Sequence, residues 1–389
     1  MSENAKFRIL SIDILRGLVM ILMVLDHVRD FWSFTSFSPE NLDQTYGALF
    51  YSRWITHFCA PAFVFLSGVS AYLHMSLKGW KKSELSKFLV SRGLWLILVE
   101  VTWISFAWQL WTYNSFYLQV IWTIGISMIS LAVLIHLPKK MILAISLIMI
   151  FGHNMLDNIA PETFGDFYWF WNILHNQTFV VTPNLPIRGF LAGYPVIPWI
   201  GVMALGFYMG NIFTHPAPYR HKTLFKTGLV AVALFITLRY LNIYGDTAQW
   251  AVQERGFAYT VMSFLNTEKY PPSLLFLLMT LGPSLMLMPY MDKMTGRVGD
   301  FLQVYGKTPF FFYVLHLPLV HISSYILYYL YYQTENSVFR DHSSWAASYE
   351  PSLLRWYLMT AFFVLLFYYP CKWFGNYRKT HKQWWLSYL

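Results

Sequence analysis

Long apolar runs separated by short polar stretches organise this 389-residue chain. At the roughly 20-residue length a helix needs to cross a bilayer, the runs fall at 10–31, 49–77, 88–111, 116–137, 139–155, 194–214, 222–244, 273–291, 308–331 and 353–373. No barrel-like alternation of apolar and polar residues runs through them, so helices are the expected spanning elements. The pattern predicts an all-α, polytopic integral membrane bundle of about ten transmembrane helices. Residues 1–389 read as one domain, with no internal repeat or low-complexity tract. Gly206 and Gly210 read as helix-packing contacts.

The first run breaks the apolar pattern. SIDILRGLVMILMVLDHVRDFW, residues 11–32, carries Asp13, Arg16, Asp26, His27, Arg29 and Asp30. On a helix Arg16 and His27 share a face about 16 Å apart along the axis. Each ionisable group at membrane depth costs about 2.5 kcal/mol or more, so such groups face protein or water. A salt-bridged packing face is the bland reading; the stretch is too polar for a simple anchor.

Composition supports the membrane class: 56% of residues are hydrophobic and only 12% charged, against about 25% charged in soluble domains. Aromatic residues reach 20%, as interfacial belts require. The net charge of +9 reads as a topology signal rather than nucleic-acid binding. Basic residues cluster on one set of loops: Lys6 and Arg8, Lys78–Lys87, Lys139 and Lys140, Arg220–Lys226, Lys293–Lys307 and Lys372–Lys382. The positive-inside rule then predicts both termini cytoplasmic, with Arg16 near the cytoplasmic face and His27 near the outer face. The long segments 156–193, 245–272 and 332–352 fall outside, either capping a site or merely connecting helices. Cys59 and Cys371 lie within or at the end of spans, so no disulfide is expected. Asp13 and Arg16 interrupt any signal-peptide core, so the N-terminus reads as uncleaved.

Several polar groups at depth are candidates for chemistry. His57 enters the second span from outside, at a depth His27 can match. Two such histidines can share proton transfer, and Asp26 or Asp30 can orient an imidazole. His316 and His321 lie in the ninth span, bracketed by Pro309 and Pro318. Glu100, Gln109 and Gln119 add polar groups in the third and fourth spans. Lys269, before the eighth span, either pairs an anionic group or snorkels. No H-E-x-x-H or paired His/Cys spacing suggests a metal, and none is expected. No P-loop, dinucleotide fingerprint or G-x-S-x-G is present.

The stretches SIDILRGLVMILMVLDHVRDF, THFCAPAFVFLSG, YPVIPWIGVMALGFYMG, KYPPSLLFLLMTLGP and YGKTPFFFYVLHLPLVH resemble bacterial membrane proteins of the DUF1624 family. That family is related to the catalytic domain of heparan-alpha-glucosaminide N-acetyltransferase. The likeness runs over nearly the whole chain. Arg16 and His27 are also similar to the R-x10-H motif of the acyltransferase-3 membrane proteins. The resemblance implies transfer of an acetyl or other short acyl group from cytoplasmic acyl-CoA to a sugar hydroxyl or amine on the outer side. One departure stands out. The segment Asn41–Arg53, where the lysosomal relative carries its catalytic histidine, has none here. That relative has asparagine in place of His27 and aspartate in place of His57.

The reading that follows is a multi-pass acyltransferase of the cell inner membrane. Acetyl-CoA or another acyl-CoA is the donor, and no metal takes part. His27 is the base or transient acyl carrier, His57 assists and Asp26 orients. Arg16, Asp13, Gln119, His316 and Lys269 are placed at the donor. The expected partners are the lipid bilayer, acyl-CoA and an extracytoplasmic glycan or sugar acceptor; a homodimer is left open, and no nucleic acid is expected. A transporter or flippase for a sugar or acidic solute is the alternative built from the same ingredients.

Overall fold

The computed structural model describes residues 9–182, 186–332, 346 and 348–387. Lys6, Arg8, Arg340 and most of the 332–352 loop lie outside the described residues. The chain opens with α1 (Leu10–Trp32). A nearly continuous helical segment follows, comprising α2 (Gly47–Trp54), a 3-10 turn at Ile55–Phe58 and α3 (Cys59–Lys78). Next come α4 (Lys82–Val99), a π-helical turn at Glu100–Ile104 and α5 (Ser105–Gln109). Strand β1 (Ser115–Leu118) leads into α6 (Val120–Leu134) and α7 (Lys139–Gly152). The first long loop holds α8 (Tyr168–Leu174), β2 (Phe179–Val181) and β3 (Gly189–Ala192). The remainder is α9 (Val196–Met209), α10 (Ala217–Leu241), α11 (Phe257–Leu265), α12 (Leu274–Met291), α13 (Arg297–Lys307), α14 (Pro309–Tyr332) and α15 (Leu353–Thr380).

The chain is thus an all-α membrane bundle. Among the described residues eight helical segments are long and apolar enough to cross a membrane. The two others of the expected ten are α1, whose charges set it apart, and α6, which has 15 residues. The fourth run is shorter than its apolar pattern suggests because Gln109 ends the preceding helix. Its amide nitrogen donates to the carbonyls of Ser105 (3.0 Å) and Ser115 (2.7 Å), and Leu110 adopts a left-handed φ of 49°. The chain then leaves as β1, which pairs parallel with β3, while β2 pairs antiparallel on β3's other side.

Helix α1 sits in the middle, packed against α3, α12, α13, α14 and α15. Its Ile14, Val24 and Val28 have no exposed surface, so the ionisable side chains between them also face protein. The approach of α13 is set by glycine. A Cβ at Gly17 would lie 1.9 Å from the Leu302 carbonyl oxygen, and one at Gly306 would lie 1.8 Å from that of Asp13. Gly206 and Gly210 are packing contacts against α3, at Phe65 and Tyr72.

Both described ends of the chain lie at one end of the bundle. The Ser11 amide donates to Asp292 Oδ1 (2.8 Å), and Arg220 Nη2 reaches Asp292 Oδ2 (2.9 Å). Arg378 Nη2 donates to the Lys307 carbonyl (2.7 Å). This is the end that carries the basic loops. At the opposite end Ser33 and Ser352 exchange hydrogen bonds, and Arg355 Nε donates to the Trp32 carbonyl (2.7 Å).

Candidate functional site

Near the loop end of α1, His27 meets His316 of α14, with Nδ1 and Nε2 2.7 Å apart and the rings stacked at 5.0 Å. The tautomers follow from the next atom along. His316 Nδ1 lies 3.0 Å from the Phe312 carbonyl oxygen, which only accepts, so Nδ1 carries the proton. A neutral His316 then has a bare Nε2, which accepts from His27 Nδ1–H. A neutral His27 is then left with an unprotonated Nε2, free of hydrogen-bond partners among the described residues, on a ring that lines a small chamber. Trp108 meets the ring edge-on at 5.3 Å and narrows its freedom to rotate.

Asp26 sits beside His27 but is engaged elsewhere. Arg53 Nη1 donates to both of its oxygens at 2.8 Å, Arg29 Nη2 lies 3.3 Å away, and Lys269 Nζ lies 3.9 Å away. Arg29 also holds Asp30 at 2.6 Å, and Arg53 Nε reaches Glu40 Oε1 at 3.3 Å. Glu40 in turn accepts from His57 Nε2 at 2.7 Å. Three carboxylates and three cations therefore balance in a largely buried region, where an unpaired charge would be costly. Burial alone would push the Glu40 carboxyl up; the Arg53 guanidinium and the His57 hydrogen bond outweigh it and hold it well below the usual carboxylate range.

The chamber, about 40 Å³, is lined by Asp26, His27, Gln119, Lys269, Thr56, Tyr194 and Tyr313 among others. A second cavity, about 150 Å³, lies toward the basic end of α1 and is lined by Arg16, Arg92, Met20, Leu96 and Phe310. The two share Met23, Phe63, Val120 and Tyr313 as walls. One layer of side chains thus separates a compartment with two guanidinium groups from the imidazole. Two larger cavities lie along α10 and α12: one of about 360 Å³, lined by His221, Lys222, Lys226 and Lys293 at the basic end, and an apolar one of about 350 Å³. Within the second cavity Arg16 Nη2 donates to Ser70 Oγ (2.9 Å) and Nη1 to the Gly306 carbonyl (3.4 Å), with Asp13 at 3.9 Å.

The structure corrects several expectations about how these residues are arranged. His57 does not meet His27; its nitrogen is taken by Glu40, and its ring packs against Phe276 at 5.3 Å. Asp26 does not orient His27, because Arg53 claims both of its oxygens. His316 lines neither cavity. It hydrogen-bonds the His27 ring instead. Asp13 touches Arg16 but lines neither cavity. Gln119 and Lys269 do line the chamber. Among the described residues His153, Asp157 and His175 also come together, with one possible ligand atom from each within 4.8 Å of the others.

Sequence reasoning missed Glu40, Arg53, Tyr194 and Tyr313. Arg53 had a signal, since a cation entering a span at the depth of Asp26 is a natural partner for it. Glu100 was read as one polar group among several. It is fully buried, and its Oε2 accepts from the Trp122 amide (2.9 Å), capping the start of α6.

Comparison with known proteins completes the description. Residues 8–245 match the family model described as heparan-alpha-glucosaminide N-acetyltransferase, catalytic. No curated protein matches the chain. The matched segment includes α1, the His57 turn and the third and fourth runs, hence most of both cavities; His316 and Lys269 lie beyond it. With more than half of its length matched and eight apolar helices of spanning length, the chain is an integral membrane protein that belongs to the heparan-alpha-glucosaminide N-acetyltransferase catalytic family of acyltransferases.

Proposed function

We propose that the protein transfers an acetyl or other short acyl group from acyl-CoA, supplied at the basic end, to a hydroxyl or amine of a sugar that enters from the loop end. The basic end is cytoplasmic on the positive-inside rule, which makes the acceptor extracytoplasmic and the membrane a cell inner membrane. The observation that carries this reading is the chain from the Phe312 carbonyl through His316 to His27, which leaves a bare Nε2 on the chamber. A general base for acyl transfer requires such a nitrogen beside its acceptor.

In the reaction, His27 Nε2 takes the proton of the acceptor O–H or N–H as the acceptor atom attacks the thioester carbonyl. Charge develops on the carbonyl oxygen, and the Lys269 ammonium and Gln119 amide lining the chamber are the donors that would stabilise it. The C–S bond breaks, and the imidazolium returns its proton to the departing CoA sulfur. Asp26, ionised and clamped by Arg53, favours the transient imidazolium through space. Arg16 and Arg92, lining the neighbouring cavity, are placed for the phosphates or amide groups of the donor arm. His316 is a positioning residue, and His57 supports Glu40 and Arg53 rather than the reacting atoms.

The test is donor and acceptor dependence. Purified protein in detergent, given acetyl-CoA and glucosamine, should release CoA and yield acetylated sugar, with little CoA release when the sugar is omitted. Sugar flux into proteoliposomes without any acyl donor, and no product with it, would favour transport instead.

A further inference from the structure

Away from the chamber, at the loop end of α7, the chain buries a cluster for which acyl transfer has no use. His153 follows the last turn of α7, Asp157 comes four residues later, and His175 closes α8. One ligand atom from each lies within 4.8 Å of the other two. His175 Nε2 and Asp157 Oδ1 are 2.8 Å apart, and the imidazoles of His153 and His175 meet edge-on, with centroids 5.8 Å apart. His153 is 1% exposed, yet both of its ring nitrogens lack a partner among the described residues; His175 Nδ1, also buried, lacks one there as well. A neutral imidazole always carries one N–H and one lone pair, so burying both unpaired forfeits hydrogen bonds that water would supply. The other deeply buried histidines each have a partner: His57 has Glu40, His316 has His27 and Phe312, and His321 has the Ala107 carbonyl (2.7 Å). Asn172, one turn before His175 and on the same face of α8, adds a buried amide oxygen without a partner.

We infer that His153, Asp157 and His175 form a binding site for one divalent transition-metal ion, with zinc as the best match. Two imidazole nitrogens and one carboxylate oxygen suit zinc and disfavour magnesium or calcium, which take oxygen ligands. Zinc bonds of about 2.0–2.2 Å require ligand atoms about 3.2–3.6 Å apart in a tetrahedron. A small side-chain rotation of His153 inward, with the His175–Asp157 pair opening slightly, reaches that spacing. The fourth position falls to the Asn172 amide oxygen or to water. None of these residues lines either cavity of the reaction site, so the ion is structural. It ties α8 to the end of α7. Asn154, beside His153, accepts from the Leu274 amide at 2.9 Å and so joins this region to the start of α12, just beyond Lys269. The inference does not depend on the acyl-transfer reading.

The test uses full-length, tag-free protein, stripped with chelator, reloaded with zinc and desalted. Zinc is counted by elemental analysis, and thermal stability is measured with and without the ion. Wild type should hold about one zinc per chain and melt at a higher temperature when loaded. His153→Ala and His175→Ala should hold none and lose that shift, whereas His221→Asn, at another histidine–carboxylate pair, should behave as wild type. Asp157→Asn, a minimal change, should weaken zinc binding about tenfold or more. If the histidine variants fail to fold, cobalt loaded into wild type decides: a tetrahedral visible spectrum supports the site, and an octahedral one overturns it. Equal zinc in wild type and all folded variants, meaning an adventitious ion only, or no zinc in wild type, would also overturn it.

Discussion

Replacing His316 with phenylalanine tests how the base is made. The ring volume and the stacking surface against His27 survive, but the acceptor for His27 Nδ1–H disappears. A buried donor without a partner costs about 1–3 kcal/mol. His27 relieves that cost by turning or by moving its proton to Nε2, and either change removes the lone pair from the chamber. Since 1.36 kcal/mol corresponds to tenfold in rate, kcat should fall about 10- to 100-fold. The donor cavity is untouched, so KM for acetyl-CoA should stay within about twofold of wild type. His316→Gln presents an amide oxygen that can accept from Nδ1–H, and should recover about tenfold over phenylalanine. The assay is CoA release at saturating acetyl-CoA with glucosamine as acceptor, on variants shown to be folded by thermal melting. A folded His316→Phe with wild-type kcat, or a loss confined to KM, would refute the assignment of His316. Equal activity in the phenylalanine and glutamine variants would reduce it to packing.

Three further outcomes are expected. Gly306→Ala, whose new methyl would lie 1.8 Å from the Asp13 carbonyl oxygen, forces α13 from α1 and should destabilise the fold by about 1–3 kcal/mol, read as a lower melting temperature; an unchanged melt would contradict the close crossing. Because the Glu40 carboxyl is held below its ordinary value, its contribution to stability is complete above the unfolded pKa of about 4.3 and is lost as pH falls through the lower folded value; Glu40→Gln should be less stable at neutral pH and flatter with acid, and parallel profiles would argue against the pairing. A cysteine at exposed Val252 should be labelled from outside the cell and one at Lys81 should not, the reverse pattern overturning the orientation.

The bundle was legible because apolar runs of spanning length fix helices almost independently of their partners. The exception, β1, looked helical because SFYL is as apolar as the helix after it; the Gln109 side chain that ends the preceding helix acts through hydrogen bonds to the Ser105 and Ser115 carbonyls, which hydropathy does not register. The position of His27 among charged residues in an apolar run was legible in the sequence. Its partner was not. Depth along a span can be counted from sequence, but the rotation of one helix toward another cannot, and His27 and His316 are 289 positions apart. His57 matched in depth yet faced Glu40, which sits in a polar loop with no periodicity to predict where it folds back. The cluster of His153, Asp157 and His175 was not read from the sequence: His153 and Asp157 are four residues apart, but His175 joins them only through the packing of α8.

The central claim is that His27 Nε2 moves the proton while the Arg16 compartment holds the donor, and one comparison tests it most directly. Acetyl-CoA affinity and acetyl transfer are measured side by side for wild type, His27→Ala and Arg16→Gln. His27→Ala should bind acetyl-CoA as wild type does and lose transfer by about 10²–10⁴-fold. Arg16→Gln should show weakened donor binding in a folded protein. Transfer that survives His27→Ala, or donor affinity that falls with His27 and is unchanged without Arg16, would contradict the account.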